Sequence, residues 1–230
     1  MFKRKILSKL EAWKRDERHK PLILRGARQV GKTTVVNEFG SQFDNYLYFN
    51  LEMNESVRLF EMDIPLNDLV NMLFASLGKS QREGSTLIFI DEIQNSPKTI
   101  ALLRYFYEQR PDLYVIAAGS LLENLVDVNV SFPVGRVMYM ALRPCSFYEF
   151  LGAIGKTNLL AVLSQKPEYT VAFHEQLIHQ FNQYTIIGGM PEAVQRYAET
   201  QDIVAIEDVY ETLVQAYKDD SEKYVRGNKL

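Results

Sequence analysis

The chain has 230 residues, 47% hydrophobic and 24% charged, with a formal net charge of -3. That is enough for one domain with a sizeable core and part of a second. The charge balance excludes a bulk electrostatic drive toward nucleic acid or an anionic membrane. The one cysteine, Cys145, excludes an intramolecular disulfide and reads as a small core residue.

The start, Met1-Phe2-Lys3-Arg4-Lys5, is basic, but Ser8, Lys9, Glu11 and Lys14 interrupt any signal-like apolar stretch behind it. No run approaches the ~18 apolar residues of a membrane span. The expectation is a cytoplasmic protein with no membrane partner. Ile6, Leu7, Leu10 and Trp13 recur at helical spacing and predict an amphipathic helix. The mixed-sign run from Lys14 to Arg18 reads as its solvated continuation rather than a nucleic-acid contact.

Leu22-Ile23-Leu24 is a short apolar strand, and Thr34 to Phe39 is a plausible helix. Between them stands Gly26-Ala27-Arg28-Gln29-Val30-Gly31-Lys32-Thr33, which reads G-x-x-x-x-G-K-T. This is the phosphate-binding P-loop in the strand-loop-helix context that it requires. The glycines let the backbone turn tightly and approach a phosphate without a Cβ in the way. The N–H groups of the loop and the helix N-terminus then face the anion. Lys32 supplies a point charge for the β- and γ-phosphates, and the Thr33 hydroxyl a ligand for Mg²⁺. Residues 26 to 34, from Gly26 to Thr34, are therefore the expected binding residues for ATP.

Tyr46 to Leu51 predicts a second strand, and residues 56–77 two helices broken at Pro65. Thr86-Leu87-Ile88-Phe89-Ile90 is apolar throughout, as in a parallel strand covered on both faces. It ends in Asp91-Glu92. An acidic residue at that place holds Mg²⁺ in P-loop enzymes, and its neighbour could take a proton from an attacking water. A helix opens at Pro97 and closes by Pro111. The next strand, Tyr114 to Ala118, leads to Gly119-Ser120. Ligands bind at the carboxyl ends of strands in open α/β sheets. Ser120 could thus touch a γ-phosphate or its water, or simply cap a helix starting near Leu121. Its surroundings are not G-x-S-x-G, and the three histidines offer no triad partner. A loop, Ser131 to Arg136, precedes a fifth strand, Val137 to Leu142. Arg136 reads equally as a finger on a γ-phosphate and as a surface arginine paired with a carboxylate.

From Pro144 the texture turns helical. Ser146-Phe147-Tyr148-Glu149 has the form of a capping box. Helices are expected at about 157–164, 170–184, 191–198 and 202–224, with Gly188-Gly189-Met190-Pro191 as a hinge-like turn. The expected division is 1–144 and 145–230.

The ordered set of motifs resembles a large group of prokaryotic AAA+-type ATPases. It comprises Pro21 to Thr34, Phe89-Ile90-Asp91-Glu92-Ile93-Gln94, Ala117 to Leu122, Phe132 to Val137, Pro144 with Ser146-Phe147 and Glu149-Phe150, and Gly188 to Pro191. The resemblance implies an α/β P-loop NTPase core with a parallel five-stranded sheet of order 5-1-4-3-2, then a helical lid and a winged helix. It also implies the assignment of Asp91 to the metal and Glu92 to the water, and it strengthens Ser120 as sensor and Arg136 as finger. Longer members end in a restriction-endonuclease-like domain; the expectation is that this chain stops before it, and whether it is a fragment of something longer is left open.

Two readings follow. In the first the chain is an Mg²⁺-dependent ATPase, with Lys32, Glu92, Ser120 and Arg136 as catalytic residues and Thr33 and Asp91 on the metal. In the second it is a nucleotide-loaded switch or scaffold that hardly turns over. A homo-oligomer, a protein partner and, through one basic face, nucleic acid are open as partners of either. A small-molecule kinase would need an acceptor pocket, for which no motif is present.

Overall fold

The computed structural model describes residues 2–120, 133–165 and 170–227. The chain divides into two compact units, Ile6–Leu142 on one side and Met1–Lys5 with Arg143–Leu230 on the other. The second unit thus takes in residues 2–5 from the start of the chain as well as the stretch from Arg143 onward.

In the larger unit, α1 (Ile6–Arg15) leads to β1 (Leu22–Arg25), α2 (Lys32–Gly40), β2 (Asn45–Asn50), α3 (Asn54–Phe60), α4 (Leu66–Ser76) and β3 (Thr86–Asp91). A 3-10 turn at Ile93–Asn95 then precedes α5 (Pro97–Gln109), β4 (Leu113–Gly119) and β5 (Met138–Ala141). The five strands form one sheet in the order β2-β3-β4-β1-β5, every neighbouring pair parallel. This is the expected order read from the opposite edge.

Burial explains why the strands form where they do. Leu87, Ile88, Phe89 and Ile90 of β3 are fully buried, as are Leu22, Ile23 and Leu24 of β1. Each such side chain contributes about 1.5–3 kcal/mol by leaving water. One face of the sheet packs with Phe60, Leu73, Ile100, Leu103 and Phe106 from α3, α4 and α5. On α1, Trp13 anchors an aromatic group with Phe39, His19 and Tyr114, and its indole N–H donates to the Lys20 carbonyl at 2.9 Å. That amphipathic helix is the one the spacing of Ile6, Leu7, Leu10 and Trp13 predicts.

Ser96 starts α5: its hydroxyl oxygen accepts from the Thr99 N–H, and Pro97 occupies the first turn, where no N–H is missed. The break at Pro65 separates α3 from α4 as expected.

The smaller unit is helical through its described residues, with α6 (Phe147–Ala153), α7 (Thr157–Leu163), α8 (His174–Ile187), α9 (Pro191–Thr200) and α10 (Glu207–Gly227). The capping box is present: Ser146 accepts from the Glu149 N–H while the Glu149 carboxylate accepts from the Ser146 N–H. Glu149 also accepts from the Lys5 N–H at 2.8 Å and pairs with the buried Arg4 at 3.1 Å. This is what binds the amino terminus into the smaller unit.

The paired glycines are not a free hinge. Gly188 ends α8 with φ 72°, and a Cβ on Gly189 would lie 2.5 Å from the Cys145 carbonyl oxygen. The Cys145 N–H donates to the Gly189 carbonyl at 2.6 Å, so two backbones meet where only glycine fits. Cys145 itself is a buried free thiol whose pKa burial pushes up to about 11. Among the described residues no helix is long and apolar enough to cross a membrane.

Candidate nucleotide site

The sheet order decides which loops meet. With β4 between β1 and β3, Arg25 lies beside Gly119, and Ile90 beside Ala117. The carboxyl ends of these three strands therefore converge, and each carries one of the expected site segments: Gly26 to Thr34, Asp91-Glu92, and Ser120.

The loop after β1 has the geometry of an anion cradle. A Cβ on Gly26 would stand 2.4 Å from the Leu142 carbonyl oxygen, just past β5, so only glycine is accommodated. Gln29 (φ 60°) and Gly31 (φ 87°) adopt left-handed backbone, which turns the chain into α2. No side chain caps that helix start. An uncapped N-terminus leaves N–H groups for an anion. Val30 is fully buried and anchors the loop, whereas Ala27, Gln29 and Thr34 are exposed. Arg28 is half-buried.

Lys32 is 6% exposed, and its ammonium donates to the Gly26 and Ala27 carbonyls at 3.0 and 2.9 Å. Burial pushes its pKa below the ordinary lysine value, with the charges of Glu92 and Asp91 pulling the other way and Arg28 adding to the depression. The Thr33 hydroxyl donates to Asp91 Oδ2 at 2.5 Å, and the Glu92 N–H donates to Asp91 Oδ1 at 3.0 Å. Asp91 is thus buried and oriented through both carboxylate oxygens. Two hard oxygen donors from distant parts of the chain sit together beside a buried ammonium. That donor set suits Mg²⁺, which binds through one or two protein oxygens and completes its shell with phosphate and water.

Glu92 has φ 53° and ψ 44°, a left-handed conformation at a residue with a Cβ. Strain of this kind gathers at functional sites. Its carboxylate accepts from the Gln94 side-chain amide. Ser120 Oγ is buried and has no hydrogen-bond partner among the described residues. The helix expected from Leu121, for which Ser120 was the alternative cap, lies outside them, as do Ser131 and Phe132 of the loop before β5.

Arg136 is not with the others. It precedes β5, whose Met138 pairs with Leu22 at the amino end of β1 while Ala141 pairs with Arg25 at the carboxyl end. At ~3.3 Å per residue this puts Arg136 roughly 15 Å along the strand direction from the level of the loop. Its guanidinium is instead paired at 2.5 Å with Glu108 in the last turn of α5. Of the two sequence readings, the carboxylate pair is the one seen, and contact with the loop of its own chain is not.

Two features escaped sequence reading. Gln94 lies inside a quoted motif, but nothing in its residue type signals a contact with Glu92. The fit of Gly26 against Leu142 joins positions far apart in sequence, which no local pattern encodes.

The parallel sheet, the loop at its carboxyl edge and the acidic end of β3 define a P-loop NTPase fold of AAA+ type. The chain belongs to the AAA_14 family, described as an AAA domain, whose model matches residues 18–151. It is accordingly a nucleotide-binding ATPase module. No curated protein sequence matches the chain significantly. Similar solved structures include the Aeropyrum pernix Orc1 protein in complex with DNA, at 15% identity and TM-score 0.43, over 64% of this chain and 45% of that one. Caenorhabditis elegans PCH-2 has 13% identity and TM-score 0.47, over 91% of this chain and 68% of that one. Drosophila ORC bound to DNA has 14% identity and TM-score 0.46, over 84% and 58%. The chain thus spans less than half the length of the Orc1 chain.

Proposed function

We propose that the chain binds ATP with Mg²⁺ and hydrolyses it to ADP and phosphate. The observation that carries this reading is the Thr33 hydroxyl on the Asp91 carboxylate at 2.5 Å, beside the buried Lys32. In it, the backbone from Gly26 to Thr34 cradles the phosphates, and Lys32 turns its ammonium from the Gly26 and Ala27 carbonyls to them. Thr33 and Asp91 hold the metal. Bound Mg²⁺ would neutralise charge on the β- and γ-phosphates.

Glu92 takes the proton of the attacking water, and Ser120, whose hydroxyl lacks a described partner, turns to the γ-phosphate or that water. The work is positioning and charge stabilisation rather than covalent chemistry. Arg136 acts, in this proposal, on the nucleotide of a neighbouring copy, because its own loop is at the other edge of the sheet. Activity then rises more steeply than linearly with protein concentration; strictly linear scaling at all concentrations removes that role. The nucleotide state moves the smaller unit as a lid, in a cytoplasmic protein with a partner still to be identified.

The test is phosphate release by the wild type beside Lys32→Ala and Glu92→Gln, with ATP binding followed in parallel. Hydrolysis by the wild type, lost binding in Lys32→Ala, and binding without turnover in Glu92→Gln support the proposal. Equal inactivity of all three, with the wild type still holding nucleotide, turns the reading to a nucleotide-loaded switch.

A further inference from the structure

Gln94 stands two residues beyond Glu92 and gives its side-chain amide to the Glu92 carboxylate. The assignment of the amide follows from charge: its oxygen against a carboxylate would repel, whereas its NH₂ group attracts. The other end of the amide has no compensating bond, since Oε1 is buried without a hydrogen-bond partner among the described residues. The side chain is therefore placed by its bond to Glu92 and not by satisfaction of its own polar atoms.

Its backbone is held on both sides. Ile93 is fully buried in the main core, and the Asn95 side-chain amide donates to the Leu51 carbonyl at 3.3 Å. The turn closes on itself where the Asn95 N–H donates to the Glu92 carbonyl at 3.1 Å. A carboxylate on a left-handed backbone is thus joined to a donor on a turn that has little freedom to move. One carboxylate oxygen takes the amide, and the other is left to accept a proton.

We infer that Gln94 is the positioning residue for Glu92, holding one carboxylate oxygen so that the other faces the attacking water. The inference rests on the proposed role of Glu92 as base. In this role Gln94 acts through Glu92. Loss of its amide lets the Glu92 side chain swing, and a misplaced base slows the chemical step without weakening binding.

The experiment compares wild type, Gln94→Ala, Gln94→Glu, Glu92→Gln and the double variant Gln94→Ala/Glu92→Gln. Steady-state ATP hydrolysis is measured with ATP affinity by titration calorimetry and thermal melting of each protein. Gln94→Glu matters most, because it keeps the shape while replacing the donor with a carboxylate that repels Glu92. The expected result is a kcat lowered roughly 10- to 100-fold in both Gln94 variants, with ATP affinity within about twofold of wild type. The double variant should be no slower than Glu92→Gln alone.

Wild-type kcat in Gln94→Glu overturns the inference, because shape alone then suffices. Faster turnover in Gln94→Ala overturns it too, by making the contact a brake. So does a loss of affinity or melting temperature that parallels the loss of rate. If Glu92→Gln itself keeps wild-type turnover, or the wild type has none, the base reading fails first and takes this inference with it. An inactive Glu92→Gln beside unaffected Gln94 variants fails this inference alone.

Discussion

The two edges of one sheet treat their polar groups in opposite ways. At the amino edge they are spent on the fold. Asn45 gives its amide to the Arg82 carbonyl and Thr86 Oγ1 and accepts from the Arg82 N–H. Asp44 accepts from both the N–H and the hydroxyl of Ser85, and Arg136 closes on Glu108. At the carboxyl edge the same kinds of group are left short. Ser120 Oγ and Gln94 Oε1 have no described partner. Lys32 is buried with a depressed pKa. Gln29 and Glu92 are two of the three described non-glycine residues with positive φ. Each such residue costs about 1–2 kcal/mol. A fold tolerates that cost where a ligand would repay it, which is why the carboxyl edge, and not the better-bonded one, reads as the site.

The sharpest way to break this contrast is to remove one group from each edge. Glu92→Gln should lower turnover by on the order of 10²–10⁴ while leaving the denaturation midpoint unchanged or raised. Asn45→Ala should do the reverse. It should cost about 1–3 kcal/mol of stability, because it strips the bonds of a residue only 5% exposed, with ATP affinity in the remaining folded protein intact. Urea titrations beside nucleotide binding decide it, and an Asn45 variant that folds well but binds poorly would erase the distinction.

The smaller unit extends the comparison through Glu149, whose carboxylate is spent on the fold like the groups of the amino edge. Glu149 is nine-tenths buried. Burial opposes its ionisation, but the N–H groups of Ser146 and Lys5 and then the Arg4 guanidinium outweigh this and hold its carboxyl below the ordinary 4.5. Its stabilisation is therefore complete above that value and drains away as pH falls through the depressed native one. Glu149→Ala should cost about 3 kcal/mol at neutral pH, by taking the carboxylate away from the buried Arg4 guanidinium and opening the capping box. Wild type and variant should converge on acidification; parallel curves would deny the linkage.

A smaller effect sharpens the account of the loop. The native pKa of Lys32 lies below the unfolded value of 10.5. Between the two, the unfolded chain binds the extra proton, so stability contributed by this site rises with pH and levels off at 10.5. Lys32→Met should remove that alkaline rise, which denaturation midpoints followed as pH climbs toward 10.5 would register. Smallest of all is the pair Arg136–Glu108, with side chains 40% and 33% exposed. Arg136→Ala should leave the midpoint where it was, because an exposed pair adds almost nothing net. A clear loss would give the arginine a structural role that the proposed contact with a neighbouring copy does not need.

The five strands, the P-loop, the acidic end of β3 and the capping box were all legible in the sequence. Each is a local pattern: an apolar run of strand length, glycines at fixed spacing, a serine three residues before a glutamate. The paired glycines read as a helix stop, and Gly188 does end α8, but the place of the second glycine was hidden. Gly189 serves a close approach to Cys145, which lies 44 residues earlier and shares no local signal with it. The binding of Phe2 to Lys5 into the smaller unit was equally hidden, because it depends on Arg4 meeting Glu149 across 145 positions.

What the sequence determined by itself was the set of chemical groups and the elements that carry them, because propensity, periodicity and loop geometry act over a few residues. Which groups meet was decided by tertiary structure. The sheet order set Thr33 against Asp91, the parallel direction of β5 left Arg136 at the amino ends of the strands, and the burial of Ile93 in the core fixed the turn on which Gln94 meets Glu92. Those outcomes depend on contacts between distant segments, whose energies no short stretch of sequence contains.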